Sequence, residues 1–117
     1  MVEFEKTGDV LVAALKGEID LHVAAPLREA LDRAIEGLAF RHLVIDFRGV
    51  TFIDSTGLGV LLGRYRRVAG AGGTVAVTGL SSAVRRVVEL SGLLRVTKEF
   101  GSRAEAVAVL EGGGAGA

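Results

Sequence analysis

The chain has 117 residues, half of them hydrophobic, which suits one domain with its own core and leaves no room for a second. Fourteen basic and fourteen acidic side chains cancel, so no global field draws it to nucleic acid or to an anionic membrane. There is no cysteine, which excludes disulfides and thiolate chemistry, and no apolar run reaches the roughly 18 residues that span a bilayer.

The opening Met1-Val2-Glu3-Phe4-Glu5-Lys6 lacks the basic-then-apolar order of a signal peptide, so a cytoplasmic location is expected. Val2, Phe4 and Lys6 alternate with Glu3 and Glu5, and beyond Thr7-Gly8-Asp9 the run Val10 to Leu15 is almost wholly apolar. This pattern predicts a hairpin feeding a central strand. A loop, Gly17-Glu18-Ile19-Asp20-Leu21-His22, is expected next. From Val23 the residues Leu27, Leu31, Ala34, Ile35 and Leu38 form one stripe, with Arg28, Glu29, Asp32, Arg33 and Glu36 facing away. That is an amphipathic helix, and Pro26 falls in its first turn, where a missing N–H costs little.

His42 to Phe47 reads as the next strand, and Arg48 to Ile53 as a bridge to Asp54-Ser55-Thr56-Gly57-Leu58-Gly59. Leu58, Leu61, Leu62, Tyr65, Val68 and Ala69 then recur at helical spacing, so a helix starts at this motif and runs to about Ala69. The glycines of Gly70-Ala71-Gly72-Gly73 suit a helix end and a turn. Thr74 to Thr78 follows as a strand, and Ser81-Ser82 opens a helix with Val84, Val87, Val88 and Ser91 inward that ends near Gly92. Val96 to Phe100 is read as the last strand, and the capping box Ser102-Arg103-Ala104-Glu105 as the start of a helix reaching about Leu110.

Residues 1–111 are expected to form the domain and 112–117 a disordered glycine-rich tail. The fold class is α/β: a mixed sheet of four to five strands, antiparallel in the first hairpin and otherwise largely parallel, with about four α-helices. Strand order does not follow from the pattern. With few aromatics, Val, Leu, Ile and Ala should build the core, with Phe4, Phe40, Phe47, Phe52 and Phe100 as its larger pieces.

Most catalytic chemistries find no support. A nucleophile elbow wants Gly-x-Ser-x-Gly, and the residues here are Ile53-Asp54-Ser55-Thr56-Gly57, without the first glycine. His22 is expected to be a surface loop residue and His42 structural. Gly57, Gly59 and Gly63 miss the spacing of a dinucleotide loop, and no Gly-Lys-Ser/Thr follows for a phosphate loop. Gly59 and Gly63 instead share one helix face and let another surface approach closely, with the protein's own core the favoured one. No His-x-x-x-His and no calcium loop occurs, so no metal is expected. Arg66-Arg67 and Arg85-Arg86 have no interleaved aromatics and read as solvated helix faces.

Ser55 stands out by position. The first N–H groups of a helix lack intrahelical partners and favour negative charge, so a phosphate on Ser55 could be partly accommodated there, with Asp54 beside it limiting the gain. Asp, Ser and Thr are also ordinary capping residues. Local physics therefore stops at a binding or regulatory module with a capped helix start.

The residues Val44-Ile45-Asp46-Phe47 and Phe52-Ile53-Asp54-Ser55-Thr56-Gly57-Leu58-Gly59-Val60-Leu61-Leu62-Gly63-Arg64-Tyr65 resemble the core signature of STAS-domain anti-sigma factor antagonists, most closely the SpoIIAA-like sporulation type. Gly17-Glu18-Ile19-Asp20 resembles the Gly-Glu-Leu-Asp loop of that family, and Ser82-Ala83-Val84-Arg85-Arg86 to Ser91-Gly92-Leu93 its later helix and turn. The resemblance implies a STAS-like fold and a non-enzymatic partner switch. Ser55 is then the phosphoacceptor, modified by an anti-sigma factor that is itself a serine kinase using ATP. The unphosphorylated form binds that kinase and frees a sigma factor, and a serine phosphatase resets the modified form.

Asp20, Asp54, Thr56, Gly57, Val60 and Arg64 are the partner-binding candidates that the resemblance carries over. Leu21 and Val23 replace polar types common in the family's loop. No cofactor is expected beyond the ATP of the partner, direct nucleotide binding by this domain is left open, and the free protein is expected to be a monomer. The alternative within the same fold is a STAS adaptor of a lipid-transport or transporter system, with no phospho-switch.

Overall fold

A computed structural model describes residues 1–112; the expected tail, apart from Gly112, lies outside the described residues. The chain opens with β1 (Val2–Thr7) and β2 (Val10–Ile19), which pair antiparallel with Thr7 opposite Val10. Their two-residue turn is Gly8-Asp9, and Gly8 takes a φ of 58°, the left-handed value that a tight hairpin turn requires. There follow α1 (Leu21–Gly37), β3 (His42–Ile53), α2 (Ser55–Gly70), β4 (Val75–Thr78), α3 (Ser82–Ser91), the short α4 (Leu93–Val96), β5 (Lys98–Phe100) and α5 (Arg103–Glu111). The strands β2 to β5 are parallel neighbours, so the sheet order is simply β1-β2-β3-β4-β5.

The expected mixed α/β domain is therefore found, with five strands and, among the described residues, five helices instead of four. The extra one is α4. Val96 was expected to start a strand, but Gly92, at φ 87°, ends α3 and Leu93 is fully buried, which turns the chain through one more helical turn. Thr97 closes it, its hydroxyl donating to the Leu93 carbonyl at 2.9 Å.

The sheet is covered on both faces, which is why its central strands read as continuous apolar runs. On one face α1 to α4 bury Leu27, Leu31, Leu58, Leu61, Val84, Val88 and Leu93 against Leu11, Ala13, Leu43, Ile45, Phe47, Val75 and Val77. On the other, α5 sets Ala106 and Leu110 on Val10, Val12, Val44 and Ala76. Burying each large side chain stabilises the fold by roughly 1.5–3 kcal/mol, so the larger face dominates the core. Of the phenylalanines only Phe47 is fully buried; Phe40 and Phe100 pack at the edges of the two clusters, whereas Phe4 and Phe52 are exposed.

Two boundaries move. β2 continues four residues past Leu15, and β3 continues through the stretch expected to be a bridge, Arg48 to Ile53. Register shifts between Ala14 and Lys16 and between Gly17 and Glu18 break the period-two pattern there, and Gly17, at φ 83°, is a bulge residue within a strand. α1 accordingly begins at Leu21, so His22 is helical and Pro26 lies in the second turn, not the first. The core also does not approach the Gly59–Gly63 face of α2: a Cβ at either glycine would meet nothing within 4 Å.

Candidate functional site

Past Lys16 and Gly49 the ribbon formed by β2 and β3 has no further strand beside it, since β1 pairs only as far as Leu15 and β4 only as far as Asp46. At its end both strands turn directly into helices, each through an aspartate. Asp20 is the N-cap of α1: its extended backbone (φ −120°, ψ −174°) lets Oδ1 accept the His22 N–H at 3.0 Å. Asp54 is the N-cap of α2 with nearly the same conformation, and its Oδ1 accepts the Gly57 N–H at 2.9 Å. The other oxygen of Asp54 crosses to α1 and accepts the Leu21 N–H at 3.0 Å. One carboxylate thus ties the two helix starts together, while the Asp54 N–H donates to the Ile19 carbonyl at 3.2 Å.

These bonds hold the Asp54 carboxyl below the ordinary carboxylate range: the Gly57 N–H contributes most, partial burial opposes it, and the Leu21 N–H reinforces the shift. Because Asp54 does the capping, the hydroxyls that follow are not used for it. Ser55 and Thr56 occupy the first two positions of α2 and are both exposed. Gly57 is buried where a Cβ would collide with the Ile19 carbonyl oxygen, so only glycine lets the tip close.

The site residues named from sequence divide in two. Asp20, Asp54, Ser55, Thr56 and Gly57 are brought together at the ribbon tip. Val60 is not at the surface; its side chain is part of the main core. Arg64 lies further along α2, where its Nε is 3.3 Å from Asp32 Oδ1 on α1 and its Nε and Nη1 are buried without a hydrogen bond. Arg67 completes that helix-to-helix contact, with Nη1 2.8 Å from the same oxygen.

Sequence reasoning missed two apolar side chains at the tip. Leu21 is 66% exposed and Phe52 is 49% exposed, unusual values for large hydrophobic residues beside a polar motif. The signal for Leu21 was its apolar side chain in a stretch otherwise expected to be a loop. Phe52 could not be assigned while residues 48–53 were read as a bridge. Among the described residues no hydrogen bond joins the Ser55 hydroxyl to a histidine, and no group of three His, Asp or Glu side chains could hold a metal ion. No described helix is long and apolar enough to cross a membrane.

A five-stranded sheet of this order, antiparallel in its first pair and parallel after it, is the fold of a STAS domain. The chain matches the STAS domain family over residues 1–106 and belongs to it. It is 34% identical over 110 residues to the anti-sigma F factor antagonist of Paenibacillus polymyxa, covering 94% of each chain. It is similar to the anti-sigma factor antagonist SpoIIAA in its unphosphorylated form, with a TM-score of 0.83, 29% identity and coverage of 96% of this chain and 97% of that one. It is also similar to the Bacillus cell fate determinant SpoIIAA in the phosphorylated form, with a TM-score of 0.73, 28% identity and coverage of 92% and 97%.

Proposed function

We propose that this protein is an anti-sigma factor antagonist of the sporulation type, regulated by phosphorylation of Ser55. In its unphosphorylated state it binds an anti-sigma factor that is a serine kinase, and the sigma factor held by that kinase is released. The kinase uses ATP to modify Ser55, the product dissociates, and a serine phosphatase restores the binding form. The protein works as a cytoplasmic monomer that serves as a kinase substrate and performs no catalysis of its own.

The observation that carries this reading is the Ser55 hydroxyl itself: exposed, at the first position of α2, and spared from capping because Asp54 does that work. A relative of the same fold that has a phosphorylated form supports it. Asp20, Asp54 and Thr56 surround the acceptor, and Leu21 and Phe52 offer the apolar contacts that a kinase would bury.

The geometry also sharpens how the phosphate acts. Asp54 already occupies the Gly57 N–H, one of the donors that a helix start would offer a phosphate. A phosphoserine brings about −1.5 to −2 charges and meets the Asp54 carboxylate instead. In a desolvated interface a penalty of about 3–4 kcal/mol weakens binding several hundredfold, since each 1.4 kcal/mol is tenfold.

The test is phosphate mapping after incubation with the kinase and ATP. Label confined to Ser55 and lost in Ser55→Ala is expected, and label persisting in that variant sinks the assignment. Ser55→Ala should bind the kinase constitutively, whereas Ser55→Asp should bind at least about a hundredfold more weakly.

A further inference from the structure

The α5 side of the sheet is only partly covered. α5 sits on Val12, Val44 and Ala76, and two residues further along each strand the same face presents Ala14, Asp46 and Thr78. These three are direct partners across the sheet, Ala14 beside Asp46 and Asp46 beside Thr78, so they form one row, level with the last residue of β4. A cleft of about 910 Å³ opens over this row, within the range of about 300–1,000 Å³ typical of small-molecule sites. It lies on a different part of the fold from the ribbon tip that carries Ser55.

Thr78 is 1% exposed, yet its hydroxyl has no hydrogen-bond partner, an arrangement that a folded protein tolerates only at a cost in free energy. Its neighbour Asp46 is fully engaged: Oδ1 accepts the Arg48 N–H at 2.9 Å, and Oδ2 accepts from Arg103 Nε at 3.0 Å and Nη2 at 2.9 Å. Asp46 therefore fixes Arg103 at the rim of the cleft with its Nη1 side to offer. Lys16 and Arg48 line the cleft as well, and against Glu3 and Asp46 the three cations leave one positive charge in excess. The starts of α3 and α5 border it through Ser81 and Ser102, which cap helices of 10 and 9 residues.

We propose that this cleft binds a small molecule bearing one oxyanion, a carboxylate or a phosphate, whose oxygen accepts from the Thr78 hydroxyl and pairs with Arg48 and Arg103. Ala14 and Ala104 supply apolar surface for the remainder of the ligand.

The test is a titration of the full chain followed by amide NMR shifts, with inorganic phosphate in one arm and acetate in the other at constant ionic strength. Saturable shifts at Thr78, Gly79, Ser102 and Arg103 are expected, and the arm that saturates at the lower concentration tells whether the anion is phosphate-like or carboxylate-like. Thr78→Val keeps the side-chain shape and should raise the midpoint about tenfold, the loss expected for one hydrogen bond to a charged group. Arg48→Gln, at an exposed position, should weaken binding in the same direction and decides the matter should the valine variant not fold. Shifts that stay linear in both arms overturn the proposal. A Thr78→Val titration matching the wild type does so too, because the hydroxyl then takes no part in binding.

Discussion

Asp54 shows how one side chain can hold two helix starts at once. Its two oxygens cap α2 and hold the start of α1, and both bonds favour the ionised form. Since its pKa in the folded protein is lowered from 3.8, the stability it contributes is complete above that value and is lost as pH falls through the lowered one. The stability gap between the wild type and Asp54→Asn should therefore stay constant from about pH 7 to about pH 4 and close only below it, as followed by urea unfolding across pH. A gap that closes near neutral pH would contradict the capping geometry. Asp20 and Asp54 were both legible in the sequence as residues before apolar-periodic runs. That Asp54 also binds the Leu21 N–H was not, because a contact across 33 positions has no local signature.

At the scale of single elements, α2 carries two different faces. Its buried side follows the helical period read from Leu58, Leu61 and Val68. Its other side exposes Ser55 and Gly59 and leaves Gly63 open, with nothing from the protein near either glycine. Glycine inside a helix costs about 0.5–1 kcal/mol relative to alanine. Gly59→Ala and Gly63→Ala should each stabilise the protein by about that much in thermal or urea unfolding, and a loss of stability would show that the helix face is not open. If the proposed kinase docks on the face that begins at Ser55, the same variants should bind it more weakly although they are more stable. Arg64 illustrates the limit of motif reading. It belongs to the signature run that ends at Tyr65, and Asp32 on α1 draws its guanidinium between the two helices.

Across the whole molecule, a polar contact joins the start of the last helix to the central strand, beside the apolar packing of Ala106 and Leu110. Arg103, at the start of α5, reaches Asp46 in β3, whose side chain is 7% exposed. Replacing Arg103 by Met leaves that carboxylate buried with only the Arg48 N–H, and should cost about 1.5–3 kcal/mol in urea unfolding, the range for hydrogen bonds to charged groups. Adding Asp46→Asn should return part of the loss, because the second change removes the unpaired charge. Two additive losses would argue against a coupled pair. A carboxylate in the apolar run Val44-Ile45-Asp46-Phe47 was a visible anomaly in the sequence, but its partner lies 57 positions away.

The sequence by itself determined the alternation of strands and helices, the antiparallel first hairpin, the helix starts at Asp54-Ser55-Thr56, Ser81-Ser82 and Ser102, and the family signature around Ser55. All of these depend on residues within a turn or two of one another, where periodicity and capping chemistry act directly. Only the tertiary structure decided the strand order, the length of the β2–β3 ribbon, the helical turn after Gly92, and which of Val60, Arg64, Leu21 and Phe52 face solvent. Those outcomes depend on which surfaces distant segments bury against each other. A bulge or a buried ion pair overrides the local pattern wherever that burial outweighs it. Ser55 belongs to both accounts: its neighbours mark it as a helix start, and the fold leaves its hydroxyl free by assigning the cap to Asp54.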